Sequence, residues 1–416
     1  MRRIRFWVVG LALLVRATLR YALLGPMLPR WTLGFTLARE WIRHVLTDGA
    51  KGGVQYLRAR RADMQLNSNT TGINVADNLY ATHRDLASRV PNWTTLKPLF
   101  STTGQEGDDH RIPSEWVVSV AAQTDIRIHM SAHASPTTNT HHGHCNRIDA
   151  WGHNGPLYPN ERVILYLHGG AYVLGSFSGH RHLTCRVSKA TQLRVYAIDY
   201  RLAPEHPFPC ALIDTLYAYR VLTAPPEEGG YGFRPQDVII SGDSAGGGLA
   251  LAALLYLRDC HQPMPSGAIL LSPWVDLHHT APSQTANLVF DYLTRAEEEH
   301  SLDNPAILYA TPDGTVQGAL PRLNHPYISP TYGNLHGLPP LLIQAGTAEL
   351  LVDDIATFVD KCTKVADLQV TYTAYPDMIH VFQAFWVFNL PAHTAAFAEI
   401  SRFAQTLKAS TKLPKD

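Results

Sequence analysis

A serine stands between small residues in the hexapeptide GDSAGG at 242–247. The apolar run VII (238–240) precedes it and the stretch GLALAALLYLR (248–258) follows it, so the pattern predicts a sharp turn from a strand into a helix. Small neighbours leave room for such a turn, and the helix N-terminus directs N–H groups and its positive dipole end at developing negative charge. The pattern therefore predicts that Ser244 is a nucleophile and that the N–H of Ala245 is an oxyanion donor.

A glycine-rich loop, YLHGGAYVLGS (166–176), forms the second candidate element. The loop ends a predicted strand, and consecutive glycines let backbone N–H groups approach a substrate closely. The strand, the HGG sequence and the serine turn occur in the order that acyl-transfer chemistry requires. Gly169 and Gly170 are therefore predicted to supply the other half of an oxyanion hole.

A serine nucleophile needs an adjacent base that a carboxylate orients. His380 lies in DMIHVFQAF, after the last predicted strand and before the final helix, where such a base is expected. The segment LLIQAGTAELLVDD (341–354) offers two candidates for the acid. Glu349 is the preferred acid because it lies in a loop just past a strand end, and Asp353 is the second choice because it lies where a helix starts. The order Ser244, Glu349, His380 is the one expected of α/β-hydrolases.

Eight β-rich runs alternate with helical stretches in the remainder of the chain. They are EWVVSVAAQ, DIRIHMSA, RVILYLH, RVYAID, DVIISG, AILLS, PLLIQAG and LQVTYTAY. Such alternation predicts an α/β fold with a mostly parallel, eight-stranded sheet and helices on both faces. The first two runs have no helix between them, so they are expected to form an antiparallel edge.

Two regions lack strand signals and are expected to form a helical cap over the sheet. The sequence predicts five parts along the chain: a membrane-associating apolar segment (1–30), N-terminal cap helices (31–112), the first part of the core (113–275), a cap insertion (276–330) and the second part of the core (331–416).

Charge and cysteine content narrow the classes of function. Lys+Arg and Asp+Glu both total 35, so the formal net charge is zero and nucleic acid is not an expected partner. The five cysteines are scattered without C-x-x-C spacing, which favours reduced thiols over a disulfide framework or a zinc site. The cluster HHGHC (141–145) lies in a loop-like stretch, whereas catalytic metal sites take ligands from separate rigid elements. No metal and no cofactor are expected.

The N-terminus combines basic and apolar residues. Three arginines among the first five residues precede FWVVGLALLV (6–15), and Arg16 and Arg20 interrupt the apolar stretch that follows. Two arginines near mid-bilayer cost roughly 5–7 kcal/mol, close to what the apolar residues return, so a shallow or tilted anchor is favoured over a clean span. A membrane-associated protein is expected, of the endoplasmic-reticulum type if the source is eukaryotic. A secreted protein with a signal peptide and a cytoplasmic protein with a packed N-terminal helix stay open, and the sequons at Asn69 and Asn92 do not decide among them.

Together, these motifs resemble the hormone-sensitive-lipase-like family of α/β-hydrolases, over residues 110–410. HGGAYVLGS is similar to the HGGG loop of that family, with Ala171 in place of the third glycine. DYRLAPEHPFPCAL and LSPWVDL resemble two further characteristic segments. The acid motif D-P-L-x-D of the family is matched from Glu349 to Asp353, with Glu for Asp and Leu for Pro.

The resemblance implies a carboxylesterase of the acetyl-esterase type that works through an acyl-enzyme on a small hydrophobic ester. An acyltransferase, a lactonase or an amidase with the same triad stays open as an alternative, because exclusion of water depends on the cap. A non-catalytic small-molecule receptor on this scaffold is the alternative from another class, although such receptors typically lose the triad histidine. The oligomeric state stays open.

Overall fold

A computed structural model of the chain describes residues 2–50, 80–86, 112–118, 155–294, 304–311 and 314–407. The second predicted β-rich run, the HHGHC cluster, Cys145 and both sequons lie outside these residues. The description below concerns the described residues.

One sheet of eight strands organises the described chain, in the order β1-β2-β4-β3-β5-β6-β7-β8. Strands β3 to β8 run parallel to one another, whereas β2 is antiparallel to both β1 and β4. The prediction of a mostly parallel, eight-stranded α/β sheet is confirmed. The strands are β1 (Tyr80–Leu86), β2 (Ile112–Val118), β3 (Val163–Leu167), β4 (Arg194–Ile198), β5 (Val238–Asp243), β6 (Gly267–Leu271), β7 (Leu341–Gly346) and β8 (Val370–Tyr375).

Helices cover both faces of the sheet, and short helices follow some of the strands. The α-helices are α1 (Arg2–Leu24), α2 (Leu33–Ala50), α3 (Phe177–Thr191), α4 (Cys210–Thr223), α5 (Ala245–Asp259), α6 (Ser283–Ala286), α7 (Pro305–Ala310), α8 (Val316–Ala319), α9 (Val352–Thr363) and α10 (Pro391–Thr406). The 3₁₀ helices are Pro226–Glu228, Pro235–Asp237, Leu320–Arg322, Pro330–Tyr332 and Phe382–Phe388.

The central strands are buried on both faces because parallel strands are covered by helices above and below. Leu165 of β3 and Ile240 of β5 pack with α4, α5 and α9 in one apolar core. Ile164 and Ile239, the neighbours of these residues in sequence, point to the other face and pack with α3 and α10. This explains why the runs RVILYLH and DVIISG are continuously apolar at their centres instead of alternating.

The antiparallel edge differs from the predicted one. The expected region of cap helices, 31–112, contains α2 but also strand β1, which pairs with β2 from Tyr80 opposite Val118 to Leu86 opposite Ile112. The sequence of β1, YATHRDL, has no continuous apolar run, because an edge strand is held by backbone hydrogen bonds to one neighbour only. The prediction of cap helices over 31–112 thus missed this strand, although α2 lies in the region as expected.

The first two helices form a hairpin that lies against the 3₁₀ helix Phe382–Phe388. Near the open end of the hairpin, the rings of Trp7 and Trp41 stack at 5.4 Å. Gly10 permits this approach, since a Cβ there would lie 2.6 Å from the Trp41 ring. At the other end, Phe35 is fully buried and meets Phe385 edge-on at a centroid distance of 5.6 Å. The hairpin is thus packed onto the sheet domain through α2.

Candidate active site

The turn between β5 and α5 holds Ser244 at φ 53° and ψ −122°. Few residues with a side chain adopt such a backbone conformation unless their surroundings enforce it. A Cβ on Gly246 would lie 2.0 Å from the carbonyl oxygen of Leu167, and one on Gly242 would lie 2.4 Å from the carbonyl carbon of Gly246. The Ser244 N–H donates to the carbonyl oxygen of Leu271 at 2.9 Å, which ties the turn to the end of β6. Glycine is required on both sides of the serine because backbone atoms occupy the space.

His380 is buried on the loop between β8 and the 3₁₀ helix that begins at Phe382. Its Nε2 lies 2.8 Å from the Ser244 Oγ, within hydrogen-bond distance. Its backbone N–H donates to Asp291 Oδ1 at 3.2 Å, and the next N–H, that of Val381, donates to Ser272 Oγ at 3.0 Å. The loop is therefore fixed from two sides while its imidazole faces the serine.

Glu349 lies just past the end of β7 and is fully buried. Its Oε2 accepts hydrogen bonds from the Ser272 hydroxyl at 2.7 Å and from the Gly346 N–H at 2.8 Å. Its Oε1 faces His380 Nδ1 at 3.7 Å, and neither of these two atoms has a hydrogen-bond partner among the described residues. The free oxygen of the carboxylate is thus aimed at the outer nitrogen of the imidazole.

Burial and charge act in opposite directions on the imidazole of His380. Burial lowers its pKa by disfavouring the charged form, while the Glu349 carboxylate, followed by Asp291 and Asp243, raises it. The net result is a His380 pKa above the ordinary histidine value. The site therefore stabilises an imidazolium, which a base must become when it takes a proton.

The second choice for the acid, Asp353, occupies a different position. It lies in the first turn of α9, and its Oδ2 accepts a hydrogen bond from the Ser283 N–H at 2.8 Å. This contact ties the cap insertion to α9. The structure brings Ser244, Glu349 and His380 together and leaves Asp353 engaged elsewhere.

Gly169 and Gly170 follow β3 directly and pass beside the serine turn. A Cβ on Gly169 would lie 2.2 Å from Asp243 Oδ2, and Gly170 has a φ of +123°, so both positions require glycine. The carbonyl oxygen of Gly170 accepts a hydrogen bond from the Leu174 N–H at 2.8 Å, so this carbonyl points toward residues of the same loop. Gly169 therefore lies beside the residue that precedes the serine, while Ala245 starts the helix after it.

Three buried polar residues complete the site, and the sequence analysis did not single them out. Asp243 lies within GDSAGG and Ser272 within LSPWVDL, so both stood inside recognised motifs. Asp291 lies in the cap insertion and has no sequence signal of its own. Its carboxylate accepts the N–H groups of Leu350, His380 and Tyr292.

Asp243 lies against Gly169 of the glycine-rich loop. Its carboxylate accepts a hydrogen bond from the Tyr166 hydroxyl at 2.6 Å and lies 3.4 Å from His180 Nε2. Burial alone raises the pKa of this carboxyl, but His180 and the Tyr166 hydroxyl outweigh burial and lower the pKa below its ordinary value. A negative charge is therefore held under Gly169.

Aromatic side chains surround the base. The Tyr292 ring lies 6.0 Å from the His380 ring and 5.6 Å from the Phe385 ring. On the side of the glycine loop, Tyr172 stacks on Tyr309 at 3.7 Å, and both rings are buried. The surroundings of the site are thus apolar and suit hydrophobic groups.

Within the described ranges, no group of three or more His, Cys, Asp or Glu side chains is arranged to hold a metal ion. The described cysteines, Cys185, Cys210, Cys260 and Cys362, form no disulfide bond.

Comparison with known families bears on this geometry. The family model described as the alpha/beta hydrolase fold matches residues 164–384, a span that includes the serine turn, the glycine loop and His380. The chain belongs to the hormone-sensitive-lipase-like family of α/β-hydrolases. The matched span covers just over half of the chain and contains strands β4 to β8, whereas β1 and β2 precede it.

Two curated proteins and one solved structure illustrate what the chain is similar to. An acetyl-hydrolase of Streptomyces hygroscopicus is 42% identical over 58% of this chain and 73% of its own length. An esterase of Acinetobacter venetianus is 39% identical over 59% of this chain and 75% of its own. The crystal structure of an esterase from the bacterial hormone-sensitive lipase family superposes with a TM-score of 0.60 at 28% identity, covering 89% of this chain and 97% of that one.

Proposed function

We propose that this protein is a serine hydrolase that cleaves short-acyl, for example acetyl, esters of a hydrophobic alcohol through Ser244, His380 and Glu349. The protein is a carboxylic ester hydrolase, as its esterase and acetyl-hydrolase relatives indicate. The observation that carries the proposed mechanism is the 2.8 Å contact between His380 Nε2 and Ser244 Oγ, with the free oxygen of Glu349 facing the other imidazole nitrogen.

The first step is attack of Ser244 on the ester carbonyl. His380 Nε2 takes the hydroxyl proton as the Oγ–carbon bond forms, and the imidazolium then donates this proton to the alcohol that leaves. The Glu349 carboxylate stabilises the imidazolium and keeps the remaining imidazole proton on Nδ1. The raised pKa of His380 supports this assignment, because the same carboxylate that orients the ring favours its protonated form.

The negative charge that develops on the carbonyl oxygen needs donors in place before the reaction. The N–H groups of Gly169, Gly170 and Ala245 are assigned to this oxyanion hole. The close approach of Gly169 to Asp243, the residue before Ser244, and the start of α5 at Ala245, the residue after it, support the assignment. Alanine in place of the third family glycine retains its N–H, so Ala171 is compatible with this role of the loop.

The second step releases the acid. A water molecule loses a proton to His380 Nε2 as it attacks the acyl carbon, and the imidazolium then donates this proton to Ser244 Oγ as the acyl–Oγ bond breaks and the carboxylic acid leaves. The name of the Streptomyces relative supports an acetyl group as the acyl part. The Tyr292 and Phe385 rings beside His380 support an apolar alcohol part.

A panel of p-nitrophenyl esters from acetate to palmitate tests the proposal on the wild type and Ser244→Ala. We expect the wild type to prefer the short esters and Ser244→Ala to lose activity by about 10⁴-fold or more. Ser266→Ala is the matched control, because Ser266 bonds the Val238 carbonyl at the opposite end of the sheet and should retain full activity. Equal rates for wild type and Ser244→Ala would refute the serine mechanism. Binding of esters without turnover by either protein would favour a receptor instead.

We further propose that α1 attaches the protein to a membrane surface without crossing it. Residues Phe6–Leu24 are long and apolar enough to cross a membrane, and most of this helix is exposed. Val8, Leu11, Val15 and Leu19 follow helical spacing along a shallow apolar groove on the outer side. The opposite side of α1 packs on α2. The row formed by Val8, Leu11, Val15 and Leu19, called the apolar stripe below, therefore faces away from α2. Exposed arginines beside the stripe suit lipid headgroups.

A further inference from the structure

Asp291 is the most deeply buried acid that the proposed mechanism does not use. It is fully buried, and no Lys, Arg or His side chain of the described residues forms an ion pair with its carboxylate. The carboxylate instead accepts three backbone N–H groups, from Leu350 at 2.9 Å, Tyr292 at 2.8 Å and His380 at 3.2 Å. A buried carboxylate that is retained without a direct ion pair needs a reason, since its desolvation opposes folding.

The donors come from the two loops that carry the proposed acid and base. Leu350 directly follows Glu349, and the third donor is the backbone N–H of His380 itself. Oδ2 of Asp291 accepts a hydrogen bond from the loop that carries Glu349, and Oδ1 accepts one from the loop that carries His380. A carboxylate accepts at both oxygens, whereas an amide accepts at one and donates at the other. The chemistry of the position therefore requires an acid and not merely a polar side chain.

We propose that Asp291 is a positioning residue, whose carboxylate holds the loop of Glu349 and the loop of His380 at the separation that catalysis requires. The inference rests on the proposed function, because it concerns the spacing of the proposed acid and base. Asp291 acts through these loops and touches neither the serine nor the ester.

The segment that carries Asp291 is itself held from the outside by α2. Arg39 donates to the carbonyl oxygens of Phe290, at 2.7 Å, and of Val289. Arg43 donates to the carbonyl oxygens of Leu288 and, at 3.2 Å, of Asp291. The N-terminal hairpin therefore supports the triad through a chain of hydrogen bonds from α2 to Asp291 and from Asp291 to His380.

Removal of the Asp291 charge also changes the electrostatics of the base. The titratable or charged groups that interact with this carboxyl are His380, Glu349, Tyr292 and Arg39, while Arg43 bonds the backbone carbonyl oxygen of the same residue. Burial raises the pKa of Asp291 to about 6, so the carboxyl is mostly ionised at neutral pH. As an anion it raises the pKa of His380. Loss of this anion therefore lowers the pKa of the base, and the acid limb of the pH–rate profile moves to lower pH.

The test compares Asp291→Asn with Asp354→Asn. Asp354 is a matched control, because it is also a buried acid with a pKa raised to about 6, and it bonds Gln284 of α6 rather than either triad loop. For Asp291→Asn we expect a fall in kcat of roughly 10- to 100-fold with KM changed little, since misplacement of catalytic groups by about 1 Å costs up to about 10²-fold. The acid limb of kcat/KM should move to lower pH. Asp354→Asn should keep both the rate and the profile.

A second variant guards against loss of folding. Arg43→Gln removes the outer support and leaves Asp291 and both loops unchanged, and we expect kcat to fall roughly 3- to 10-fold. Wild-type kcat and pH profile in a folded Asp291→Asn protein would overturn the inference. If Asp291→Asn does not fold, wild-type kcat in Arg43→Gln would overturn it. An inactive wild type would instead overturn the proposed function, so the two failures are distinguishable.

Discussion

Replacement of Glu349 by glutamine is the perturbation whose effect follows most directly from the structure. The change removes the negative charge 3.7 Å from His380 Nδ1 and keeps the size of the side chain. At that distance and an effective dielectric constant of about 20, the carboxylate stabilises the imidazolium by about 4.5 kcal/mol. Because each 1.36 kcal/mol corresponds to a factor of ten in rate, kcat for p-nitrophenyl acetate should fall by about 10³-fold.

Changed hydrogen bonding in Glu349→Gln should lower kcat further, in addition to the loss of the negative charge. The Ser272 hydroxyl and the Gly346 N–H donate to the inner oxygen of Glu349, so the glutamine carbonyl should occupy that position. Its amide N–H group then faces His380 Nδ1 and favours the tautomer with the proton on Nε2. In that tautomer Nε2 cannot accept the Ser244 proton.

Stopped-flow and steady-state hydrolysis of p-nitrophenyl acetate at pH 8 measure this effect. Asp353→Asn is the control, because Asp353 bonds Ser283 and should keep kcat within about threefold of the wild type. If folded Glu349→Gln protein retains more than about a tenth of wild-type kcat, the role assigned to Glu349 is refuted. A large loss in Asp353→Asn with little loss in Glu349→Gln would transfer the role to Asp353.

Three further predictions concern the base, its support and the N-terminal helix. Because the pKa of His380 is raised and the base acts when neutral, kcat/KM should increase with pH through a midpoint above the ordinary histidine value; a pH–rate profile flat from pH 5 to 8 would contradict this. Ser272→Ala removes the bridge between Glu349 and the His380 loop, so kcat should fall roughly tenfold in the same ester assay. Leu11→Glu combined with Leu19→Glu, at positions 64% and 57% exposed, should weaken binding to phospholipid vesicles by about 30-fold or more in a sedimentation assay.

The vesicle experiment has a matched control on α10. Ala395→Glu combined with Ala398→Glu adds the same charge at exposed positions of another helix and should leave vesicle binding unchanged. Equal sedimentation of the wild type and the α1 variant would contradict membrane attachment through this stripe.

The parts of the site that the sequence reveals are those tied to strand ends. Ser244, Glu349 and the glycines after β3 each follow a buried apolar run, and parallel strands bring their carboxyl ends to one edge of the sheet. The geometry at Ser244 also depends on small neighbours, which are visible as glycines in the sequence. These relations are local, so the pattern of residue types was sufficient to predict them.

The remaining parts depend on contacts between distant segments. Asp291 lies 59 residues from Leu350 and 89 from His380, and only the folded cap insertion brings them together. Strand β1 escaped prediction because an edge strand is specified by its partner more than by its own side chains. The apolar N-terminus was recognisable, but its packing on α2 depends on the ring of Trp41 fitting against Gly10.

The central claim is that Ser244 is the nucleophile and that His380 activates it. A fluorophosphonate ester tests this claim most directly, because it reacts with an activated serine and leaves a stable phosphonyl group on the oxygen. Peptide mass spectrometry of the labelled wild type should place one phosphonyl group on Ser244, with no labelling of Ser244→Ala and labelling slowed by orders of magnitude in His380→Ala. Stoichiometric labelling at another residue, or equally fast labelling of His380→Ala, would contradict the account.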